Sequence, residues 1–361
     1  MTRLLPIEVR RYDTKTRDRW TLALHRYRLP TAKTPKRLPV VLCHGLASNR
    51  FSFDAPDGPS LARFLAERGY DVWALDLRGA GSSAKPHIVT SLRWEWSFRH
   101  YLEYDAPAGL DLVRGATGAS EVHWVGHSLG GMLAYALMVE GALAGQPPPF
   151  ASVTTMASPT VHVGPAPNIP GAKMVQALLT RLQNARTPFA FSARLGVPLT
   201  GALYRLALFR ILYNPDNMDP ATVRRLLPHA LDDVPARLLL DYLTAFEARR
   251  EGRGVPLAFA YEARLDLIDK PLLVMGGPVD GLCPLPALTA VYDRASSPIK
   301  LLRVLSRANG CRHDYGHHDI LFGHHVEAEV FAPIAQWLDA RDVALTETDA
   351  VNALHPQRRD S

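Results

Sequence analysis

The residues whose types could do chemistry fall into two clusters. One is GHSLGG, Gly126 to Gly131, in which Ser128 lies between Gly126 and Gly130. The other is CRHDYGHHDILFGHH, residues 311–325, which carries His313, His317, His318, His324 and His325 beside Cys311, Asp314 and Asp319. A serine hydroxyl is a weak nucleophile until a base takes its proton, and histidine is the commonest such base near neutral pH. Gly-x-Ser-x-Gly recurs by chance, so its meaning depends on what flanks it. Between a buried strand and a helix it forms a turn so sharp that a Cβ on either glycine would strike neighbouring backbone. The serine then stands at a helix N-terminus, where free N–H groups and the helix dipole favour negative charge. His127 is adjacent, but a base must reach the hydroxyl oxygen at about 2.6–3.2 Å, and a neighbour in so sharp a turn projects elsewhere. Packing beneath the turn is its expected role. The histidine cluster also raises a metal site; with no HExxH or CxxC spacing, no metal ion is expected.

The flanks supply that context. EVHWVG (121–126) before the serine is a short apolar run, and LGGMLAYALMVEGALAG after it reads as a helix. LPVVLCHG (38–45), DVWALD (71–76) and FASVTTMA (150–157) have the same apolar character, as expected of parallel strands buried on both faces, and the alternation of strands and helices resumes late with KPLLVMGG (270–277) and IKLLRVLS (299–306). Helical patterns separate them at 60–69 and 101–118, and a last one spans 326–340. IEVRRY and WTLALHRYRL near the start, joined by TKTRDR, alternate as a β-hairpin does. Strand–helix alternation of this kind predicts an α/β fold with a mostly parallel central sheet and helices on both faces. Residues 161–262 differ: AKMVQALLTRL, ATVRRLLPHAL and ARLLLDYLTAFEARR are helical patterns that surround no clear strand. The expected organisation is therefore a core built from 1–160 and 263–341, a helical cap insertion over 161–262, and a polar, disordered tail at 342–361.

Composition narrows the function classes. The chain has 361 residues, 47% hydrophobic, long enough for one large α/β domain with an insertion or for two smaller domains. Its net charge of +6 comes from basic and acidic residues that alternate, with no basic stripe interleaved by aromatics, so nucleic-acid binding is not expected. A mildly positive surface is compatible with transient contact with anionic lipid. No window is long and apolar enough to span a bilayer; GALYRLALFRILY is interrupted by Arg205 and Arg210. MTRLLPIEVRRYDTK reaches charge and proline too early for a signal peptide, and three cysteines make no disulfide scaffold. These features predict a soluble, cytoplasmic protein. GAGSSA (79–84) fits a dinucleotide-binding pattern, but Lys85-Pro86-His87 follows where a phosphate-binding helix should begin. No cofactor is expected.

As a collinear set, TRDRWTLALHRYRLP, LCHGLASNRFSFD, GYDVWALDLRGAGSS, WSFRHYLEYDAPAGLDLV, VHWVGHSLGG and YGHHDILFG resemble the α/β-hydrolase superfamily. Within it the chain is similar to the acid-lipase-like branch and to polyhydroxyalkanoate-synthase-like hydrolases. The resemblance covers most of 17–160 and 270–340 and leaves the insertion unmatched. The synthases carry a cysteine where this chain has Ser128. The resemblance implies a triad in the order Ser, acid, His: Ser128 as nucleophile, Asp280 in MGGPVDGLCP just past a late strand, and His317 aligned on Gly-His-x-Asp as base. His318 remains an alternative base, and an Asx turn before Gly281 is an alternative role for Asp280. Asp319 reads as a loop organiser and His44 as a loop brace, and Asp76 and Arg78 commonly brace the sheet edge in such relatives. The oxyanion hole would use the backbone N–H groups of Leu129 and of Leu46 in CHGL.

The expected activity is that of a serine carboxylic-ester hydrolase acting through an acyl-serine on small or lipid-like esters with an apolar acyl chain. Acyl transfer or polyester hydrolysis by the same triad is the nearest enzymatic alternative. A catalytically silent binding protein on the same fold is the non-enzymatic one. Nothing in the pattern assigns an oligomeric state.

Overall fold

The structure, a computed structural model, describes residues 7–30, 37–161, 172–190, 209–254 and 256–342. At its centre is an eight-stranded sheet in the order β1-β2-β4-β3-β5-β6-β9-β10. The strands are β1 (Glu8–Lys15), β2 (Thr21–Arg28), β3 (Val40–Cys43), β4 (Val72–Asp76), β5 (Val122–His127), β6 (Phe150–Met156), β9 (Leu272–Gly276) and β10 (Lys300–Val304). β1 and β2 form the antiparallel hairpin, β2 runs antiparallel to β4, and all remaining pairs are parallel. Every residue of β3, β4, β5, β6 and β9 is buried, which is why those segments read as unbroken apolar runs rather than alternating ones.

Helices flank both faces. On one, α1 (Leu61–Glu67) packs against a C-terminal helix, α8, over residues 326–342, with the rings of Phe64 and Phe331 5.6 Å apart. Ser60 caps α1 by accepting from the Arg63 N–H, and Gly69, at φ 87°, turns the chain out of it. The other face carries α2 (Ala106–Thr117), α3 (Leu129–Leu143) and α7 (Leu285–Arg294). The helical run expected over 101–118 opens with a π turn at Tyr101–Asp105. α3 is buried along most of its length, because the segment Leu257–Leu267 covers the side turned away from the sheet.

Between β6 and β9 the chain forms α4 (Ala172–Arg181), α5 (Pro220–Ala230) and α6 (Ala236–Arg250), where the helical patterns were expected. It also contains two strands, β7 (Arg186–Thr187) and β8 (Val234–Pro235), paired antiparallel. Two residues are too few to show a period in sequence. The apolar stretch at 201–208 and the tail from 343 on lie outside the described residues. Among the described residues, no helix is long and apolar enough to cross a membrane. The three cysteines are free.

One buried charge cluster ties the hairpin to the sheet. Arg78, 1% exposed, donates from Nε and its backbone N–H to Asp105, both at 2.8 Å, and from its terminal nitrogens to Asp18 at 2.7 and 3.0 Å. Burial pushes the Asp105 carboxyl up to about 6 against the pull of Arg78. Removing the arginine strands a buried carboxylate, which typically costs about 3–5 kcal/mol. Arg78→Ala should therefore lose about that much in urea unfolding, whereas Asp18→Asn, at a half-buried position, should lose about 1 kcal/mol or less. Equal stability of Arg78→Ala and the parent chain would show that the cluster holds nothing together.

Candidate active site

Ser128 occupies the single residue between β5 and α3 and has φ 52° and ψ −117°. A side chain rarely tolerates that conformation, so the surroundings must enforce it. They do so by close approach. A Cβ on Gly126 would lie 2.4 Å from the backbone of Gly130, and one on Gly130 would lie 2.1 Å from the Cys43 carbonyl oxygen. The Ser128 N–H donates to the Met156 carbonyl at 2.9 Å, and its carbonyl accepts from Gly131 and Met132. Trp124, buried in β5, donates from Nε1 to the Gly130 carbonyl at 3.0 Å and pins the first turn of α3.

Two loops beyond the ends of β9 and β10 bring the other groups in. Gly277 lets the first loop pass the second, since a Cβ there would stand 1.9 Å from the Tyr315 carbonyl oxygen. Asp280 accepts from the Leu282 and Cys283 N–H groups at 2.8 and 2.7 Å. It therefore makes an Asx-type turn and still presents its carboxylate to His317, whose Nδ1 lies 2.9 Å from Oδ2 and 3.1 Å from Oδ1. With the Nδ1 proton donated to Asp280, the lone pair on Nε2 faces the Ser128 hydroxyl at 3.0 Å. Ser128, His317 and Asp280 thus form one hydrogen-bonded chain. It can draw a proton from the serine oxygen while the carboxylate stabilises the imidazolium that results.

The other histidines are placed differently. His318 gives its backbone N–H to the Leu212 carbonyl, and burial with the neighbouring His317 pushes its ring down to about 3. His127 donates from Nε2 to the His317 carbonyl at 2.9 Å, so it supports the loop of His317 and not the serine oxygen. The His313 ring lies against those of His324 and His325. Among the described residues, no group of three or more His, Cys, Asp or Glu is placed to hold a metal ion. Asp319 organises the His317 loop: its carboxylate accepts from Gly316, Asn214 and the Asn217 side chain. Burial raises its affinity for a proton.

On the opposite side of Ser128 lies the loop that follows β3. His44 braces it, donating from Nδ1 to the Gly45 carbonyl at 2.8 Å and accepting at Nε2 from the Leu77 N–H at 3.1 Å. Burial holds that imidazole down at about 4. A Cβ on Gly45 would lie 3.1 Å from the Ser128 Cβ, so the loop passes directly over the serine. Among the described residues, the N–H groups of Leu46 and Leu129 have no acceptor, and both residues line a crevice with Gly45, Tyr101, Asp232 and Val234. Asp76 accepts from Arg50 and Ser82 N–H groups at 2.8 Å each, and burial pushes it up to about 6.

Sequence reasoning missed Asn214 and Asn217, which hold Asp319, and Asp232, which reaches this loop from the chain between β6 and β9. Asn and Asp are ordinary turn residues in a helical segment, and nothing in their spacing signals a distant partner.

The model of the alpha/beta hydrolase fold family matches residues 39–318. Triacylglycerol lipase 2 of Arabidopsis thaliana is 32% identical over 146 residues, covering 37% of this chain and 34% of its own length. Gastric triacylglycerol lipase of Rattus norvegicus is 37% identical over 131 residues, covering 33% and 32%. The chain thus covers about a third of the length of the curated relatives it matches. A thermophilic esterase from Thermogutta terrifontis superposes with a TM-score of 0.54 over 92% of this chain and 99% of its own, at 18% identity. The monoacylglycerol lipase of Paleococcus ferrophilus gives 0.55 at 17% identity, with 92% and 99% covered. At such identities the likeness is one of fold.

The His44 bonds have a pH consequence. Its folded-state pKa lies below the ordinary value for histidine, so the stability it supports is present above about pH 6.5 and is lost as pH falls toward 4. Asp76, shifted upward, acts in the opposite direction between about 6 and 4. A comparison of two chains isolates the histidine. His44→Gln should be less stable at pH 7, with a stability slope between pH 6.5 and 5 shallower by roughly 1.4 kcal/mol per pH unit, read from urea unfolding at pH 7, 6 and 5. Parallel slopes would show that His44 does not titrate with folding.

Proposed function

The chain belongs to the alpha/beta hydrolase fold family, and on that premise we propose that it is a serine carboxylic-ester hydrolase working through an acyl-Ser128 intermediate. The observation that carries this reading is the continuous chain Ser128 Oγ, His317, Asp280 at 3.0 and 2.9 Å, set at the N-terminus of α3. Ser128 Oγ attacks the ester carbonyl carbon as its proton passes to His317 Nε2. The carbonyl oxygen becomes an oxyanion held by the N–H groups of Leu46 and Leu129. Collapse expels the alcohol, which takes the proton back from His317. Water then adds to the acyl-serine, giving a proton to His317, and the second collapse returns it to Ser128 and frees the acid.

An ester with an apolar acyl chain is the proposed substrate class. The names of the relatives support it, as do the apolar residues of the insertion, which we read as a cap on the core. The three free thiols support a cytoplasmic setting.

The test is hydrolysis of p-nitrophenyl esters from acetyl to palmitoyl by the parent chain and by Ser128→Ala. Loss of a triad serine costs on the order of 10⁶ in turnover where chemistry limits, and loss of the orienting carboxylate in Asp280→Asn roughly 10⁴. A fluorophosphonate should label the parent chain and not Ser128→Ala. Unchanged turnover in the serine variant would overturn the mechanism, and a rate maximum at acetyl would discard long acyl chains.

A further inference from the structure

The loop carrying Leu46 is not held by the core alone. Ala47, the residue after Leu46, has φ 54°, a left-handed conformation that a non-glycine residue keeps only when its surroundings over-determine it. The surroundings here are residues of the insertion. The Ala47 carbonyl accepts from the Asp232 N–H at 2.9 Å. Ser48 pairs with Leu231 as an isolated antiparallel bridge, and its hydroxyl donates to the Ala230 carbonyl at 2.9 Å. Asn49 donates from Nδ2 to the His229 carbonyl and to Asp232 Oδ2, both at 2.7 Å, while its Oδ1 caps the next turn at the Phe51 N–H.

The Asp232 carboxylate is the centre of this arrangement. Besides Asn49, its Oδ2 accepts from the Gly81 N–H at 2.7 Å, and Oδ1 pairs with Lys85. Asp76 in the core does the same work from the other side, accepting from Arg50 and Ser82. Two carboxylates, one from the core and one from the insertion, therefore staple the same two loops at adjacent residues. Asp232 is 7% exposed, so water does not readily replace its partners.

We propose that Asp232 is a positioning residue for the reaction: by fixing Ala47, Asn49 and Gly81, it aims the Leu46 N–H at the position where the oxyanion develops. The insertion then completes the oxyanion site through its own backbone and carboxylate, and a shift of residues 229–232 disarms Leu46 without disturbing Ser128, His317 or Asp280. This inference rests on the proposed role of Ser128 and Leu46.

The test uses Asp232→Ala and Asp232→Asn, assayed for ester hydrolysis and for binding of two inhibitors. A trifluoromethyl ketone adds to Ser128 and places an oxyanion in the hole; the matching carbinol cannot. Deleting an oxyanion donor typically costs roughly 10²–10³ in kcat, and a displaced one less, so kcat should fall roughly 10- to 100-fold with KM within about twofold. Ketone affinity should fall by a similar factor, and carbinol affinity should hold. Asp232→Asn, which keeps an acceptor for Gly81, should lose less, and it carries the test if the alanine variant fails to fold by near-ultraviolet circular dichroism. A folded Asp232→Asn or Asp232→Ala with parental kcat and ketone affinity would overturn the inference, as would a loss confined to KM. A parent chain that neither hydrolyses esters nor takes a fluorophosphonate at Ser128 would instead remove the functional reading, and this inference with it.

Discussion

The contact on which the rest of the site depends is the approach of Gly130 to the end of β3. No methyl group fits between that glycine and the Cys43 carbonyl, so α3 starts directly against the neighbouring strand. The same closeness forces Ser128 into its strained backbone and sets it beneath Gly45. The Ser128 hydroxyl, a helix N-terminus and the loop bearing Leu46 thereby share one small volume. The strain is tolerated because β5 and the first turns of α3 are buried and the Ser128 N–H and carbonyl are both satisfied.

Loops beyond the ends of parallel strands pose a second problem, since they bury backbone N–H groups with no ladder to receive them. This chain answers it repeatedly with aspartate. Asp76 receives Arg50 and Ser82, Asp105 receives Arg78, Asp280 receives Leu282 and Cys283, Asp319 receives Gly316 and Asn214, and Asp232 receives Gly81. A short carboxylate accepts several donors at once and fits a tight turn. Burial opposes its charge, which is why Asp76 and Asp105 hold their protons more tightly than free carboxyls. Asp280 shows the double use of the device: the turn that it closes is also what aims its carboxylate at His317.

The chain between β6 and β9 belongs to this network and does not merely sit beside it. Its residues 229–232 form hydrogen bonds to the loop after β3, and Leu257–Leu267 covers α3. The loop after β3 and the helices between β6 and β9 are therefore mechanically linked through one short segment before β8.

Much of this was legible along the chain. Unbroken apolar runs marked the buried strands, because a strand covered on both faces has no polar side to alternate. The glycines around Ser128 marked the turn, because only the absence of a Cβ permits it. The places of Asp280 and His317 followed from the resemblance to the α/β-hydrolase superfamily, read together with the strands before them. Other features had no local signature. The two-residue strands β7 and β8 are shorter than any period, the π turn at Tyr101–Asp105 interrupts a pattern that reads as plain helix, and Asp232 looks like any acidic residue after a helix. The sequence by itself determined which residues are stiff, small, apolar or titratable, and hence the strand order along the chain and the positions able to do chemistry. Only the tertiary structure decided which distant groups meet: His317 rather than His318 against Ser128, and Asp232 against Asn49 and Gly81. Such pairings join residues tens to hundreds of positions apart, and they are set by how the sheet and helices pack, not by any property of the residues nearby in sequence.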